Sequence, residues 1–465
     1  MPGLSFALAQ WVTNFSLEAA PVQVGHNTKI RLLDIVGVMI GSSGHESVVA
    51  AQRAIADADA GGRGAHSLMA SEETSLANAA FINGVASAVL EFDDTHIASN
   101  IHVTGVVAAA ALPVAQGARQ SGRELLEALI TGSEIACRLG LVTPVRMHER
   151  GFHPTSVYGV FAAAYAVARL RGLSPQTTAD AVGTAGSLSS GSIASFQDGT
   201  STKTMHVGFA SSAAIRAVAL AKHGISGPAQ VFEGRFGWYA SHVQGAADFD
   251  FAALTDGLGE RWELFKIAPK LYPCAYTMMP FIAATLALRE QHAIAADDVV
   301  EIACEIMPRS FATICEPVEE KRRPRTSWHG RISLQHTVAE ALVLGRFDKN
   351  AYAPANLVDP VINALADKVI HLPDPIAAAD TSRSRATVSI KLRDGRVVTK
   401  TIEDMLGTAR NPAPDSVYFD KFRANVDGVL SNAQAEELIE RLMTLETADD
   451  VDEVLRPLRE RTSRA

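Results

Sequence analysis

Residues 91–102 carry the densest group of side chains in the chain that can do acid–base chemistry. This stretch, EFDDTHIASNIH, holds three carboxylates, two imidazoles and three small polar side chains. It directly follows an Ala-rich apolar run, residues 79–90, which predicts a buried helix. Ionisable groups at the end of a buried helix are costly unless they are paired or used. The pattern therefore indicates a functional cluster.

Basic side chains recur where helices are predicted to begin. His153 precedes Pro154, and Lys203 and His206 precede another Ala-rich run. Free backbone N–H groups at a helix start attract anions, so these side chains suit a carboxylate receptor. A capped helix entry with incidental surface charge is the alternative explanation.

Two later segments also combine ionisable side chains with a favourable place. Lys270 and Tyr272 lie near a change in sequence character at about residue 266, and clefts between domains commonly bind ligands. Ser333 and His336 are three residues apart, so they share one face of a predicted helix.

The sequence contains no recognisable metal-binding or cofactor-binding motif. Asp93, Asp94, His96 and His102 are metal-ligand types, but their spacing fits no zinc or calcium motif. Glycine-rich nucleotide loops are absent, and no phosphate-binding loop accompanies Lys203 as pyridoxal phosphate would require. We therefore expect the protein to use neither metal nor cofactor.

Composition excludes several classes of protein. The 465 residues are 47% hydrophobic and 20% charged, which is typical of globular domains. A net charge of −9 argues against nucleic-acid binding. Four scattered cysteines without a CxxC pair suggest reduced thiols. Without a leader peptide or an apolar run of about 18 residues, the sequence predicts a cytoplasmic protein that does not contact membranes.

Periodicity predicts a mainly α protein. Helices are predicted at 28–40, 46–60, 75–90, 105–121, 123–139, 158–170, 176–187, 208–223, 433–444 and 448–455. Strands are predicted at 297–308 and in a hairpin, 386–392 and 396–402, turned by Asp394 and Gly395. The predicted layout is a large helical bundle, residues 1–265 and 405–465, with an inserted α+β lid domain at 266–404.

Five segments in order resemble the MmgE/PrpD family of 2-methylcitrate dehydratases, cis-aconitate decarboxylases and an iminodisuccinate epimerase. They read FDDTH, GFHPTS, TKTMHVGFA, KLYPC and RISLQHTVAEAL, and the resemblance covers residues 4 to about 423. It implies a homodimer whose subunit has a helical bundle and an α+β lid with the active site between them. It also implies a small di- or tricarboxylate substrate.

The resemblance implies site residues within these segments. We expect catalytic roles for Asp93, His102, Lys203, Lys270 and His336, and substrate binding by His96, His153, His206, Tyr272 and Ser333. The shared chemical step is removal of a proton from a carbon next to a carboxylate, which needs a base and cations that stabilise the developing charge. Asp93 is expected to orient or charge an imidazole.

The substrate and reaction stay open at this point. Met279 stands where the family pattern has a histidine, and His336 stands where a tyrosine is common, so we hypothesise that His336 takes over acid–base duty. Dehydration of a hydroxy-polycarboxylate is ranked first, then epimerisation of an iminodisuccinate-like diacid, then decarboxylation of cis-aconitate. A non-catalytic carboxylate-binding protein is the alternative from another class.

Overall fold

The computed structural model describes residues 3–58, 64–68, 73–244, 248–380 and 383–459. Helices of the N-terminal half are α1 (Leu4–Asn14), α2 (Val22–Gly41), α3 (Glu46–Ala58), α4 (Leu76–Ala88), α5 (Val103–Gly117), α6 (Gly122–Leu141), α7 (Arg146–Glu149), α8 (Pro154–Leu170), α9 (Pro175–Ala185), α10 (Ser195–Asp198), α11 (Thr202–Lys222), α12 (Trp238–His242) and α13 (Ala252–Thr255).

The C-terminal half adds shorter helices and a sheet. The helices are α14 (Met279–His292), α15 (Val318–Arg322), α16 (Ser327–Gly330), α17 (Leu334–Leu344), α18 (Pro354–Leu357), α19 (Pro360–Ala366), α20 (Pro375–Ala379), α21 (Asp415–Val426), α22 (Asn432–Met443), α23 (Val451–Val454) and α24 (Arg456–Arg459). The strands of the whole chain are β1 (Ala65–His66), β2 (Glu73–Thr74), β3 (Thr95–His96), β4 (Ile267–Ala268), β5 (Val299–Ile306), β6 (Val369–Pro373), β7 (Ala386–Leu392) and β8 (Val397–Ile402).

The mainly helical class predicted from periodicity is confirmed. The larger sheet has the strand order β6-β5-β7-β8, in which β5 and β6 are parallel and the other neighbours antiparallel. The predicted hairpin is β7–β8, and Gly395 adopts the positive φ of 89° that its turn requires. Two-residue strands pair β1 with β2 and β3 with β4.

Helix starts differ most from the prediction. Helices predicted to begin at 28, 158 and 208 begin at Val22, Pro154 and Thr202. The residues between the predicted and observed starts mix polar with apolar side chains and so interrupt the apolar periodicity. Ser174 caps α9 ahead of Pro175, as its residue type indicates. The longer helices α1, α14 and α21 were not predicted. Residues 59–60 of the predicted helix 46–60, and the Gly61-Gly62 pair after it, lie outside the described residues.

Apolar side chains gather in two clusters. One joins the N-terminal helices to Phe422 and the C-terminal helices, and the other spans Cys274 to Met405. The predicted domain boundaries at 265/266 and 404/405 stay a prediction. Cysteines in both clusters are buried and unpaired.

Helix α11 lies within the bundle, packed against α4, α8, α9 and α5. By length and composition it is the one helix in the described ranges able to cross a membrane. However, 61% of its 18-residue apolar window is buried inside the fold, as in the core helix of a globular protein.

Glycine allows α4 and α11 to approach closely, and α11 begins beside the site. A Cβ atom added at Gly84 would lie 2.5 Å from the Gly208 nitrogen, and one added at Gly208 would lie 2.6 Å from the Phe81 oxygen. The two backbones are therefore in direct contact.

Substitution of Gly84 by Ala should force these helices apart. We expect the free energy of unfolding to fall by about 1–3 kcal/mol, as for other overpacked cores, in denaturant titrations followed by circular dichroism. Gly44→Ala is the control, because nothing lies within 4 Å of its added Cβ, and its effect should stay within about 0.5 kcal/mol. Equal stability of the two variants would contradict this packing.

Candidate active site

The stretch 91–102 folds into a loop between the buried helices α4 and α5. Glu91 and Asn100, near the two ends of the loop, adopt positive φ angles of 49° and 55°. His102 is the residue that precedes the first turn of α5. Within the loop, β3 pairs with β4, which leads directly to Lys270. Local folding therefore brings the loop beside a segment from far along the chain.

Two lysines meet this loop at one carboxylate. Lys203, the second residue of α11, forms an ion pair with Glu91 Oε1. The Lys270 Nζ atom lies 3.0 Å from Glu91 Oε2 and 3.4 Å from Asp93 Oδ1. None of these four side chains is more than 5% exposed. The four groups form a closed ionic cluster, which we call the lysine–carboxylate cluster.

Mutual attraction keeps Glu91 and Lys270 charged in spite of their burial. Burial acts to raise the pKa of Glu91, but Lys203 and Lys270 outweigh it and hold that pKa well below the usual range. Burial acts to lower the pKa of Lys270, but Glu91 and Asp93 outweigh it, so that pKa is raised. Glu91 is therefore an anion and Lys270 a cation at neutral pH.

His102 lies beside the cluster in a defined tautomer. Its Nδ1 lies 2.9 Å from the Asp94 carbonyl oxygen and 3.0 Å from Thr95 Oγ1. Because a carbonyl oxygen only accepts hydrogen bonds, Nδ1 carries a proton and Nε2 is the basic nitrogen of the neutral ring. Asp93 Oδ2 lies 3.9 Å from Nδ1, where its charge would stabilise a protonated ring.

Two more imidazoles, those of His153 and His206, lie in a row next to His102. The ring centroids of His102 and His153 are 6.1 Å apart, and those of His153 and His206 are 5.3 Å apart. The Nδ1 atoms of His153 and His206 are separated by 3.2 Å, so one donates a hydrogen bond to the other. In the described part of the chain, His153 Nε2 is buried without a hydrogen-bond partner. It is therefore free to meet a ligand.

The surroundings lower the pKa of all three imidazoles. Burial lowers the pKa of His102 to about 4, with Lys270 and Lys203 adding to the effect and Asp93 opposing it. Burial and Lys203 also lower the pKa of His206 to about 4. Burial and the Lys203 charge bring the pKa of His153 well below its ordinary value. At neutral pH these rings are uncharged bases.

Three of these groups also have the chemistry of metal ligands. Glu91, Asp93 and His102 offer atoms within 4.8 Å of one another. However, the Glu91 and Asp93 oxygens already face the ammonium groups of Lys203 and Lys270. A cation placed here would have to displace both lysines, so the donor set fits an anion receptor better than a metal centre.

Three predicted substrate-binding residues have contacts elsewhere. His96 Nδ1 lies 2.7 Å from Ser99 Oγ, and its Nε2 lies 3.7 Å from Glu263. Tyr272 packs edge-on to Phe347, and Ser333 donates a 2.7 Å hydrogen bond to the His329 carbonyl oxygen. Their predicted contact with substrate stays a prediction.

His336 is fully buried in the second apolar cluster. Its Nε2 lies 3.3 Å from Glu340 Oε2, and its ring stacks on Tyr352 with centroids 6.2 Å apart. Met279, also fully buried, accepts a 3.3 Å hydrogen bond at its sulfur from the Leu271 backbone. In the described part of the chain, His336 forms no hydrogen bond or ion pair with the lysine–carboxylate cluster, and its catalytic role stays a prediction.

The stretch selected from the sequence includes Glu91, but Glu91 was not among the predicted site residues. Asp93 and two lysines were selected, which leaves one cation without a counterion. Two lysines predicted to be buried together require a second carboxylate, and Glu91 directly follows the apolar run. Asp94, by contrast, accepts hydrogen bonds from the Thr104 backbone and hydroxyl, and so fixes the start of α5.

Comparison with known proteins gives a consistent family. Residues 7–251 match the model of the MmgE/PrpD N-terminal domain, and residues 272–446 match that of the C-terminal domain. Human cis-aconitate decarboxylase is 28% identical over 386 residues, 80% of this chain and 77% of that protein. The Aspergillus terreus cis-aconitate decarboxylase is 25% identical and covers 97% of this chain and 95% of its own. The cis-aconitate decarboxylase-like protein oryM of Aspergillus oryzae is 27% identical with 96% and 95% coverage.

His102 should titrate far below an ordinary histidine. In a ¹³C-histidine NMR titration we expect its ring signal to change near pH 4, with His102→Gln used to assign the signal. Between about pH 6.5 and 4 the ring binds a proton in the unfolded protein but not in the folded protein. Acidification across this range therefore lowers the free energy of unfolding. The His102→Gln variant should lose less stability across that window. A ring that titrates near pH 6.5 would contradict the buried geometry.

Proposed function

We propose, because the chain belongs to the MmgE/PrpD family, that it is a lyase acting on a small tricarboxylate by proton transfer at a carbon next to a carboxylate. The observation that carries this proposal is the pair of buried lysines beside the neutral imidazole of His102. One set of groups binds negative charge, and the other exchanges protons.

Lys203 and Lys270 form the proposed anion receptor. A substrate carboxylate that enters between them and the imidazoles meets two ammonium groups in a site with little water. In such surroundings, charge that develops on a carboxylate during proton transfer is strongly stabilised. Glu91 stays ionised and keeps both lysines oriented.

His102 is the proposed proton carrier. Its basic Nε2 takes or returns a proton at the reacting carbon, while Nδ1 stays bonded to the Asp94 carbonyl. Asp93 stabilises the imidazolium from 3.9 Å. The paired rings of His153 and His206 give the proton a second acceptor, which permits exchange with the edge of the site.

Decarboxylation of cis-aconitate is the first reaction to test. The relatives named above as cis-aconitate decarboxylases favour it over the order given by sequence alone. In that reaction a proton adds to a carbon beside a carboxylate as carbon dioxide leaves, and the products are carbon dioxide and an unsaturated five-carbon diacid. The proton comes from water through the imidazoles, whose protonation the negative charge of the bound tricarboxylate favours, and no hydroxide has to leave.

Dehydration of a hydroxy-tricarboxylate is the second candidate, because the same family resemblance includes 2-methylcitrate dehydratases. It needs a general acid for the departing hydroxide, and a protonated His153 or His206 would serve. We also propose that the protein assembles as a homodimer and is located in the cytoplasm.

The direct experiment is a substrate screen by ¹³C NMR with purified protein and a chelator. We expect cis-aconitate to be consumed with release of carbon dioxide. Loss of water from 2-methylcitrate would instead establish the dehydratase. Binding of citrate-like anions without any reaction would overturn the catalytic proposal in favour of a carboxylate-binding protein.

Removal of either receptor lysine should abolish most of the activity. We expect Lys203→Met and Lys270→Met each to lower kcat/KM by about 10²–10³-fold, the usual loss for one preorganised charge-stabilising group. Lys29→Met is the matched control, since Lys29 is 9% exposed and bonds Glu446 and the Met443 carbonyl oxygen far along the chain from both receptor lysines. Wild-type rates in a folded Lys203→Met protein would contradict the receptor.

The hypothesis for His336 has its own test. If His336 performs acid–base work, His336→Phe should lose both turnover and exchange of the substrate hydrogen next to the carboxylate. His371→Phe is the control, because His371 packs against Phe311 in the same apolar cluster. Near-normal turnover and exchange in His336→Phe would overturn the hypothesis.

A further inference from the structure

The backbone around Glu91 is held in an unfavourable conformation. A positive φ is uncommon for residues other than glycine and persists only where surrounding structure enforces it. Glu91 has a φ of 49°, and the carbonyl groups of Leu90 and Phe92 lie on either side of it. The contacts of those two carbonyls therefore decide where the Glu91 carboxylate is presented.

Arg331 bonds the first of these carbonyls. Its Nη1 atom donates to the Leu90 oxygen at 2.7 Å and to the Pro273 oxygen at 2.7 Å. Leu90 directly precedes Glu91, and Pro273 lies three residues after Lys270. One guanidinium nitrogen thus joins the backbone segments that carry the two partners of an ion pair.

The surroundings of Arg331 fix it in this place. Its side chain is almost fully buried and lies over the Tyr352 ring, 5.2 Å from the ring centroid. Its own carbonyl oxygen accepts a 2.8 Å hydrogen bond from the Ala275 backbone, so it is tied twice to the segment after Lys270. In the described ranges Arg331 has no carboxylate within ion-pair distance. Its guanidinium group instead donates hydrogen bonds to backbone carbonyl groups.

Lys421 bonds the second carbonyl from another direction. Its Nζ atom donates to the Phe92 oxygen at 2.9 Å and lies 4.1 Å from the centroid of the Phe92 ring. Asp34 of α2, 2.7 Å away, supplies its counterion. Lys421 belongs to α21, so the C-terminal part of the chain also reaches the loop.

We propose that Arg331 and Lys421 are positioning residues that hold the Leu90 and Phe92 carbonyls and thereby aim Glu91 at Lys203 and Lys270. In the described ranges, neither residue forms a hydrogen bond or ion pair with Lys203, Lys270 or the three imidazoles. Each acts through the backbone on the carboxylate that both receptor lysines share. The expected effect on kinetics rests on the proposed function. The effect on the loop does not, because the titration of His102 can be measured without a substrate.

The ring of His102 reports on this geometry. Its Nδ1 bonds the Asp94 carbonyl, two residues after Phe92, so a loosened loop admits water to the ring. Burial is the main cause of its low pKa. When burial is relaxed, the pKa of His102 should rise toward its ordinary value.

The test compares Arg331→Met and Lys421→Met with matched controls. Lys29→Met removes another buried lysine that bonds one carboxylate and one carbonyl, and Arg385→Met removes a partly buried arginine paired with Asp374. Melting temperature, the His102 titration and steady-state kinetics are measured for all four. The conservative variants Arg331→Lys and Lys421→Arg replace any methionine variant that fails to fold.

Both positioning variants should raise the pKa of His102 by roughly one unit or more and lower kcat about tenfold or more with a smaller change in KM. The controls should lower the melting temperature and leave both quantities unchanged. An unshifted His102 pKa in folded variants at either position would overturn the proposal and leave these cations a purely structural role. If no polycarboxylate reacts with the wild-type protein, the proposed function fails, and the titration still decides the positioning role.

Discussion

The carboxylate of Glu91, shared between Lys203 and Lys270, is the interaction on which the rest of the site depends. Two ammonium groups buried together would repel each other. The shared anion holds them close together. Burial, with the two lysines adding to it and Asp93 opposing it, keeps His102 an uncharged base at neutral pH. Anion binding and proton transfer therefore arise from one arrangement of charge.

Bringing these groups together requires most of the chain. Glu91 follows α4, Lys203 begins α11, and Lys270 follows the strand that pairs with the loop. The close crossing of α4 and α11 at Gly84 and Gly208 sets the distance between the first two. Packing in the helical bundle is thus a condition for the chemistry, because the ionic cluster tolerates little displacement.

Sequence patterns predicted the parts of this structure that depend on local chemistry. Helical periodicity found the bundle helices, and the Asp394-Gly395 turn located the hairpin, since both signals lie within a few residues. Asp93, His102, Lys203 and Lys270 lie together, as the motifs implied. Glu91, Arg331 and Lys421 were not selected as site residues. Their roles depend on contacts with residues more than a hundred positions away. Burial and long-range pairing of this kind leave no periodic signal.

Deuterium incorporation tests the coupling of the lysine–carboxylate cluster to proton transfer most directly. The wild-type protein and Lys270→Met are incubated with cis-aconitate in deuterated water, and the products are followed by ¹H and ²H NMR. The wild-type protein should place deuterium on the carbon beside a retained carboxylate, and the variant should incorporate almost none. Product without deuterium at that carbon, or equal incorporation by a folded Lys270→Met protein, would contradict the mechanism.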